Sequence, residues 1–255
     1  MKVKQFLAII LMSLCGITSA QAQTQIIAHR GYWDKLGSAQ NSLSSLENAI
    51  KFGAYGSELD VWITKDGIVV LNHDETYQGV VIQTATYAEL SALRLVNGEP
   101  IPTLQQYINI AKKQNKTKLI VEIKSHYTAE DDRRAARETV RLINESGIAG
   151  MVDYISFSEH VCKELIRLNP KHRVAYLNGE KSPATLKAEG YWGLDYAWNV
   201  LKEQHPEWIK EAKALGLTTN VWTVNNVERM QYFISQGIDY ITTDNPQLLR
   251  GLLTE

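Results

Sequence analysis

From residue 25 onward the chain alternates short apolar runs with longer amphipathic ones. The short runs are Gln25–His29, Gly56–Asp60, Lys118–Lys124, Asp153–Ser158, Arg173–Leu177, Gly193–Asn199, Thr218–Val224 and Asp239–Thr243, and they read as eight strands. Several are apolar on both faces, the pattern of parallel strands covered by helices. Helical patterns follow at Ser42–Phe52, Thr103–Gln114, Ala129–Ser146, Glu159–Leu168, Ser182–Ala188, Pro206–Leu215, Asn226–Ser235 and Pro246–Leu253. Asn41 or Ser42 caps the first helix, capping being the favoured role for Asn41, and Gly53 closes it. Eight such units in 255 residues predict a single (β/α)8 TIM-type barrel. A doubly wound open sheet would bring a glycine-rich phosphate loop after its first strand, and none is present. Two stretches break the alternation. Ile63–Asn72 reads as a hairpin around the turn Thr64-Lys65-Asp66-Gly67, and Glu75–Pro102 reads as a loop-rich insertion over one face of the barrel.

The polar residues cluster at the C-terminal ends of strands, where barrels of this type carry their chemistry. The first strand ends in His29-Arg30-Gly31. In the second, Glu58 and Asp60 share a face, with Cα atoms roughly 6.6 Å apart, twice the rise per residue. The third puts Glu122 and Lys124 on one face, and the hairpin returns His73 beside Glu58 and Asp60. Three acids with only oxygen to offer suit one hard divalent cation, Ca2+ or Mg2+, rather than zinc. Arg30 and Lys124 suit phosphate oxygens. His29 and His73 suit general acid/base work near neutral pH. The set fits phosphoryl transfer.

The motifs His29-Arg30-Gly31, Glu58-x-Asp60, Thr64-Lys65-Asp66-Gly67, His73-Asp74, Glu122-Ile123-Lys124, Val221-Trp222-Thr223-Val224-Asn225 and Ile241-Thr242-Thr243-Asp244 resemble the glycerophosphodiester phosphodiesterase family. The resemblance implies a barrel hydrolase that cleaves glycerophosphodiesters to glycerol 3-phosphate and an alcohol. It assigns Glu58, Asp60 and Glu122 to the cation, His29 and His73 to acid/base catalysis, and Arg30 and Lys124 to the phosphate. It also implies a cyclic phosphate formed by the glycerol 2-hydroxyl. By analogy with the related phosphoinositide lyases, His29 is the base and His73 the acid; the sequence itself does not separate these roles. One departure is Ala39-Gln40-Asn41-Ser42, where the family often has Pro-Glu-Asn-Thr, so the site loses a charge at Gln40.

Six tryptophans are many for this length, and Trp33, Trp62, Trp198 and Trp222 fall at or beyond strand ends. Packing between loops is expected for the first three. Trp222 shares a strand face with Asn220 and Val224 and is expected to wall the pocket. His126 lies close enough to Lys124 to reach the rim, while Asp131-Asp132-Arg133-Arg134 reads as a solvated helix face.

Composition narrows the setting. The chain is 44% hydrophobic and 22% charged with a net charge of −1, which offers no polyanion-binding surface, so no nucleic-acid partner is expected. Residues 1–22 join a basic start, an apolar run from Phe6 to Ile17 and the small-x-small signal Ala20-Gln21-Ala22, the pattern of a signal peptide. The run falls short of the ~20 residues needed to span a bilayer, so stable membrane insertion is not expected. The barrel domain is then 23–255, exported to the periplasm or secreted. Cleavage removes Cys15 and leaves Cys162 as a buried structural thiol. Two other functions fit the same residues: a barrel that binds phosphodiesters without turnover, and a phosphodiesterase acting on intact phospholipid. The latter needs an exposed apolar collar.

Overall fold

Eight parallel strands close on themselves in the computed structural model, which describes residues 23–254. The expected signal peptide, residues 1–22, lies outside the described residues. The barrel strands are β1 (Gln25–Ala28), β2 (Gly56–Ile63), β6 (Lys118–Ile123), β7 (Val152–Ser156), β8 (Val174–Tyr176), β9 (Gly193–Ala197), β10 (Thr218–Trp222) and β11 (Tyr240–Thr243). β1 pairs in parallel with both β2 and β11, and this double pairing closes the sheet. β3 (Val69–Leu71) lies antiparallel to β2, while β4 (Thr76–Tyr77) and β5 (Val80–Val81) form a separate ribbon. The helices are α1 (Leu43–Phe52), α2 (Tyr87–Ser91), α3 (Leu104–Ala111), α4 (Ala129–Glu145), α5 (Glu159–Leu168), α6 (Pro183–Ala188), α7 (Trp208–Ala214), α8 (Val227–Ser235) and α9 (Pro246–Thr254). Among the described residues no helix is long and apolar enough to cross a membrane.

Strand alternation sorts the side chains into two layers. Leu59, Val61, Leu119, Val121 and Ile123 face outward into the large core between sheet and helices. Ile27, Ile120, Ile155, Ala175 and Leu177 face inward and fill the barrel with a small apolar plug. By the same parity Glu58, Asp60 and Glu122 face inward above that plug. Asp60 and Glu122 are register partners across β2 and β6. The plug thus lies directly beneath the acids in the barrel interior.

The hairpin is a continuation of β2 rather than an excursion after it. Val61, Trp62 and Ile63 pair with Leu71, Val70 and Val69. Asn72 N donates to Asp60 O at 3.2 Å, which sets His73 at the rim as the turn chemistry predicts. The Glu75–Pro102 insertion is more ordered than its sequence suggests. Thr86 and Glu89 form a capping box on α2, and Ile82, Ala85, Leu90, Leu95 and Ile101 build a second small core with Ala39, Trp62 and Val70. Its strands are only two residues long, too short for periodicity to reveal. Trp62 is buried in this second core because the inward face of β2, once past the rim, is covered by the insertion.

Three readings of single residues are corrected. The cap of α1 is Ser42, whose side chain accepts from Ser45 N; Asn41 has another role. Asp132 is buried, accepting from His126 N at 2.7 Å and Ser158 Oγ at 2.5 Å, so this residue leaves the solvated face. His126 does not reach the pocket. Its Nε2 accepts from Ile63 N at 3.2 Å and its Nδ1 donates to Lys124 O at 2.8 Å, joining the hairpin to the end of β6. Cys162 is buried as expected, and burial pushes its thiol up to about 12, which keeps it inert.

Candidate active site

The loop from β1 to α1 turns sharply at His29-Arg30-Gly31. Gly31 sits at φ 81°, and a Cβ there would lie 2.2 Å from Ser45 Oγ, so the turn requires glycine. Arg30 also takes a left-handed conformation, with φ 54°. Its N–H donates to Glu58 Oε2 at 2.7 Å. Its Nη1 donates to Gln40 Oε1 at 2.7 Å, while Nε is buried, 3.7 Å from Asp60 Oδ2 as an ion pair but without a hydrogen-bond acceptor. Gln40 is therefore a partner of the guanidinium. Asn41, at φ 56°, grips Asp60 with both ends of its amide: Nδ2 donates to Oδ2 at 2.8 Å and Oδ1 accepts from Asp60 N at 3.1 Å. Asparagine tolerates this backbone region better than most residues.

Glu58, Asp60 and Glu122 are all buried, and each offers an oxygen within 4.8 Å of the others. Glu58 Oε1 and Glu122 Oε1 have no hydrogen-bond donor. Lys124 Nζ donates to Asp60 Oδ1 at 3.1 Å. It also lies 2.7 Å from Glu122 Oε1, close as an ion pair but not aligned as a hydrogen bond. Lys124 and the Arg30 guanidinium, 3.7 Å from Asp60 Oδ2, both lie nearest Asp60 or Glu122 and leave Glu58 Oε1 without a partner. Burial, then the charges of Asp60 and Glu122, hold the Glu58 carboxyl well above the usual range. Burial and Asp60 likewise push Glu122 up to about 7, against the pull of Lys124. Burial opposes ionisation of Asp60 too, but Lys124 and Asn41 outweigh it and lower its pKa. Crowded, donor-starved oxygens of this kind fit a hard divalent cation.

This arrangement has a pH consequence. Between its ordinary 4.5 and about 7, Glu122 in the folded, cation-free chain keeps a proton that the unfolded chain has released. Its contribution to the stability of the cation-free protein therefore falls as pH rises through that window. Binding a cation must expel this proton. Ca2+ affinity is expected to weaken as pH drops below about 7, with protons released on binding near pH 6 from Glu122 and from Glu58, whose carboxyl is also raised. Calorimetry in buffers of different ionisation heat measures it; a buffer-independent heat would contradict it.

Both histidines line one cavity with Glu58 and Glu122, together with Arg30, Ile155, Phe157, Leu177, Asp195 and Trp222. His29 Nδ1 donates to Asp244 Oδ1 at 2.8 Å, which leaves Nε2 free to accept. Asp244 is itself held by Trp33 Nε1 at 3.2 Å and Asn225 Nδ2 at 2.6 Å. Burial opposes its charge, but these bonds prevail and lower its pKa. His73 Nδ1 lies 2.7 Å from Asp74 Oδ1 in a more exposed setting. Burial and the Lys124 ammonium lower its pKa, against the attraction of Asp60 and Asp74. Trp222 walls the cavity, edge-on to Phe157 at 5.5 Å, with Nε1 donating to Asp195 O at 2.9 Å. A wider groove of about 550 Å³ runs outward beneath the insertion, bordered by Trp33, Leu36, Tyr77 and Val96, and Arg30 and His73 border both spaces.

All eight residues expected at the site thus meet at one rim. Asp195, Asp244 and Asn225 join them without having been assigned roles from sequence, and Asn41 enters in a role other than the favoured one. Asp244 was within reach, because closing β1 on β11 pairs Ala28 with Thr243 and sets the next residues side by side. Asp195 carried the weaker signal of an acid at an inward position of β9. Among the other tryptophans, Trp198 packs under Arg229, whose guanidinium lies 3.4 Å from its ring, away from the cavity.

The chain is similar to known proteins over most of its length. A glycerophosphodiester phosphodiesterase structure from Parabacteroides distasonis is 51% identical, superposes with a TM-score of 0.90, and covers 92% of this chain and 98% of that one. A glycerophosphodiester phosphodiesterase from Caldanaerobacter subterraneus is 29% identical over 248 residues, or 91% of this chain and 98% of its own length. The match to a sequence model of the glycerophosphoryl diester phosphodiesterase family runs over residues 29–248, from the first rim histidine to the last helix, and the chain belongs to that family.

Proposed function

We propose that this protein hydrolyses glycerophosphodiesters to glycerol 3-phosphate and an alcohol, using one divalent cation, Ca2+ or Mg2+. The observation that carries the reading is the meeting of three buried carboxylates, two of them with an oxygen lacking a hydrogen-bond donor, with two carboxylate-oriented imidazoles at one rim. Glu58, Asp60 and Glu122 would hold the cation, which would polarise a phosphoryl oxygen and offset developing charge. Arg30 Nε, buried without an acceptor, is ready for a phosphate oxygen, with Lys124 adding charge beside it. His29, held through Nδ1, takes the proton of the glycerol 2-hydroxyl at Nε2. That hydroxyl attacks the neighbouring phosphorus intramolecularly, with high effective molarity, and gives a cyclic phosphate that water opens. His73 borders both the cavity and the outer groove, a position that suits proton delivery to the departing alkoxide. Its lowered pKa makes that proton easier to give up. The basic, apolar N-terminal stretch supports an exported enzyme.

The test is release of choline and glycerol 3-phosphate from glycerophosphocholine. Turnover is expected to stop in EDTA and return with Ca2+ or Mg2+. Binding of the diester without turnover under every cation condition would instead establish the non-catalytic reading.

A further inference from the structure

β2 runs past the end of its neighbour. Its register with β6 stops at Val61 and Ile123, where Lys124 N donates to Val61 O at 3.1 Å. A parallel ladder repeats every two residues, so the next rung would join Ile63 N–H to Lys124 O. The His126 ring stands in that rung instead. Its Nε2 accepts from Ile63 N at 3.2 Å, and its Nδ1 donates to Lys124 O at 2.8 Å. Both partners are backbone groups of fixed polarity, one a donor and the other an acceptor. The ring is therefore the neutral tautomer with its hydrogen on Nδ1. Its two nitrogens point apart, so the chains stand wider there than the ~4.8 Å of paired strands. This wedge is firmly seated. The side chain is 1% exposed, lies edge-on to Trp62 at 5.2 Å, and follows a backbone N–H held by Asp132 at 2.7 Å.

The wedge separates two working groups. On one side Lys124 reaches Asp60 and Glu122. On the other, Val61–Ile63 pair with Val69–Leu71, Asn72 N donates to Asp60 O, and His73 follows. The side-chain contact of His73 with Asp74 is solvent-exposed, so its position follows the hairpin backbone. We propose that His126 is a positioning residue: by filling the missing rung it sets how far the hairpin stands from Lys124, and so where His73 meets the leaving alkoxide. The inference rests on the reading of His73 as the proton donor. Without the ring, Ile63 N–H loses its buried acceptor, and the hairpin must close on Lys124 or admit water. Either response moves His73, and a misplacement of about 1 Å costs up to ~100-fold in rate. His126 does not line the cavity, so a step that needs no proton donor is spared.

The experiment compares two diesters of glycerol 3-phosphate. Choline departs as an alkoxide and needs a proton, whereas 4-nitrophenol departs as a stabilised phenolate and does not. The quantity compared is kcat/KM, which covers the steps up to departure of the alcohol, before the cyclic phosphate opens. His126→Phe keeps a ring against Trp62 and removes both nitrogens. His126→Asn keeps a donor for Lys124 O and is too short to reach Ile63. Each is expected to lower kcat/KM for glycerophosphocholine about 10- to 100-fold and to keep that for the nitrophenyl ester within about threefold. A merely structural role would lower both together. Equal loss on the two esters, or no loss on either, overturns the proposal, and one folded variant suffices to decide. His73→Ala is the reference and is expected to lose more on glycerophosphocholine than on the nitrophenyl ester. If it shows no such difference, or if the wild type does not turn over glycerophosphocholine, the functional reading fails separately. Amide exchange then decides the role of His126. Exchange at Ile63 and Asn72 at least about tenfold faster in the variants, with β1 unchanged, sustains the wedge, and unchanged exchange overturns it. Where neither variant folds, a protected Ile63 amide in the wild type sustains it, and one that exchanges as fast as an exposed amide overturns it.

Discussion

His29→Ala is expected to lower kcat on glycerophosphocholine at least about a hundredfold, the usual span for a lost general base being 10² to 10⁴. The size follows from how the imidazole is held. Asp244 fixes its Nδ1, and Trp33 and Asn225 fix Asp244, so His29 has little freedom to adopt another orientation. Alanine removes the proton acceptor and leaves a carboxylate whose remaining donors still satisfy it. Folding is therefore expected to survive, with a thermal midpoint close to the wild type. His73→Ala belongs in the same assay. Its Asp74 contact is solvent-exposed, so its loss should affect kcat far more than stability. A His29→Ala enzyme within threefold of wild-type kcat would remove this residue from the mechanism.

Glu58→Gln is expected to separate stability from activity in opposite directions. Glu58 is buried against two other acids, and its pKa is raised by burial first and by Asp60 and Glu122 second. Glutamine keeps an acceptor for Arg30 N–H and removes one like charge. The cation-free variant should gain roughly 1 kcal/mol, which raises the midpoint by about 2–4 °C in a chain of this size. Cation affinity should fall at least about tenfold, since even groups that merely orient metal ligands cost that much. Differential scanning fluorimetry with and without Ca2+ reads both effects in one experiment. A wild-type-sized shift with Ca2+, or a lower midpoint without it, would count against the crowded-carboxylate account. The stability lost at this site is characteristic of a constellation arranged for a ligand rather than for the fold alone.

The barrel and its charged rim were legible in the sequence because both follow from local periodicity. Alternation within β2 and β6 places Glu58, Asp60 and Glu122 on the inward face without knowledge of any partner strand. The turn at Thr64–Gly67 brings His73 back by the same local logic. What was not legible depends on the tertiary fold. Asn41 is a good helix cap by residue type, yet Ser42 takes that place, which frees Asn41 to hold Asp60. Asp132 sits in a run of four charges, and only the packing of α4 against Ser158 and the His126 backbone buries it. The second core under the insertion was hidden because its buried residues come from a single 3-10 turn, a short helix and scattered loop positions, packed against Trp62 and Val70.

The two imidazoles belong to different parts of the architecture. His29 rides on β1, locked into the closed sheet on both sides, whereas His73 rides on a hairpin that projects beyond it and is roofed by the insertion. In the proposed mechanism, proton abstraction would thus be anchored to the closed sheet, and proton delivery to an appendage with its own miniature interior. A lineage could exchange that appendage, and with it the surroundings of the proposed leaving alcohol, while leaving the proposed cation site in the closed sheet undisturbed.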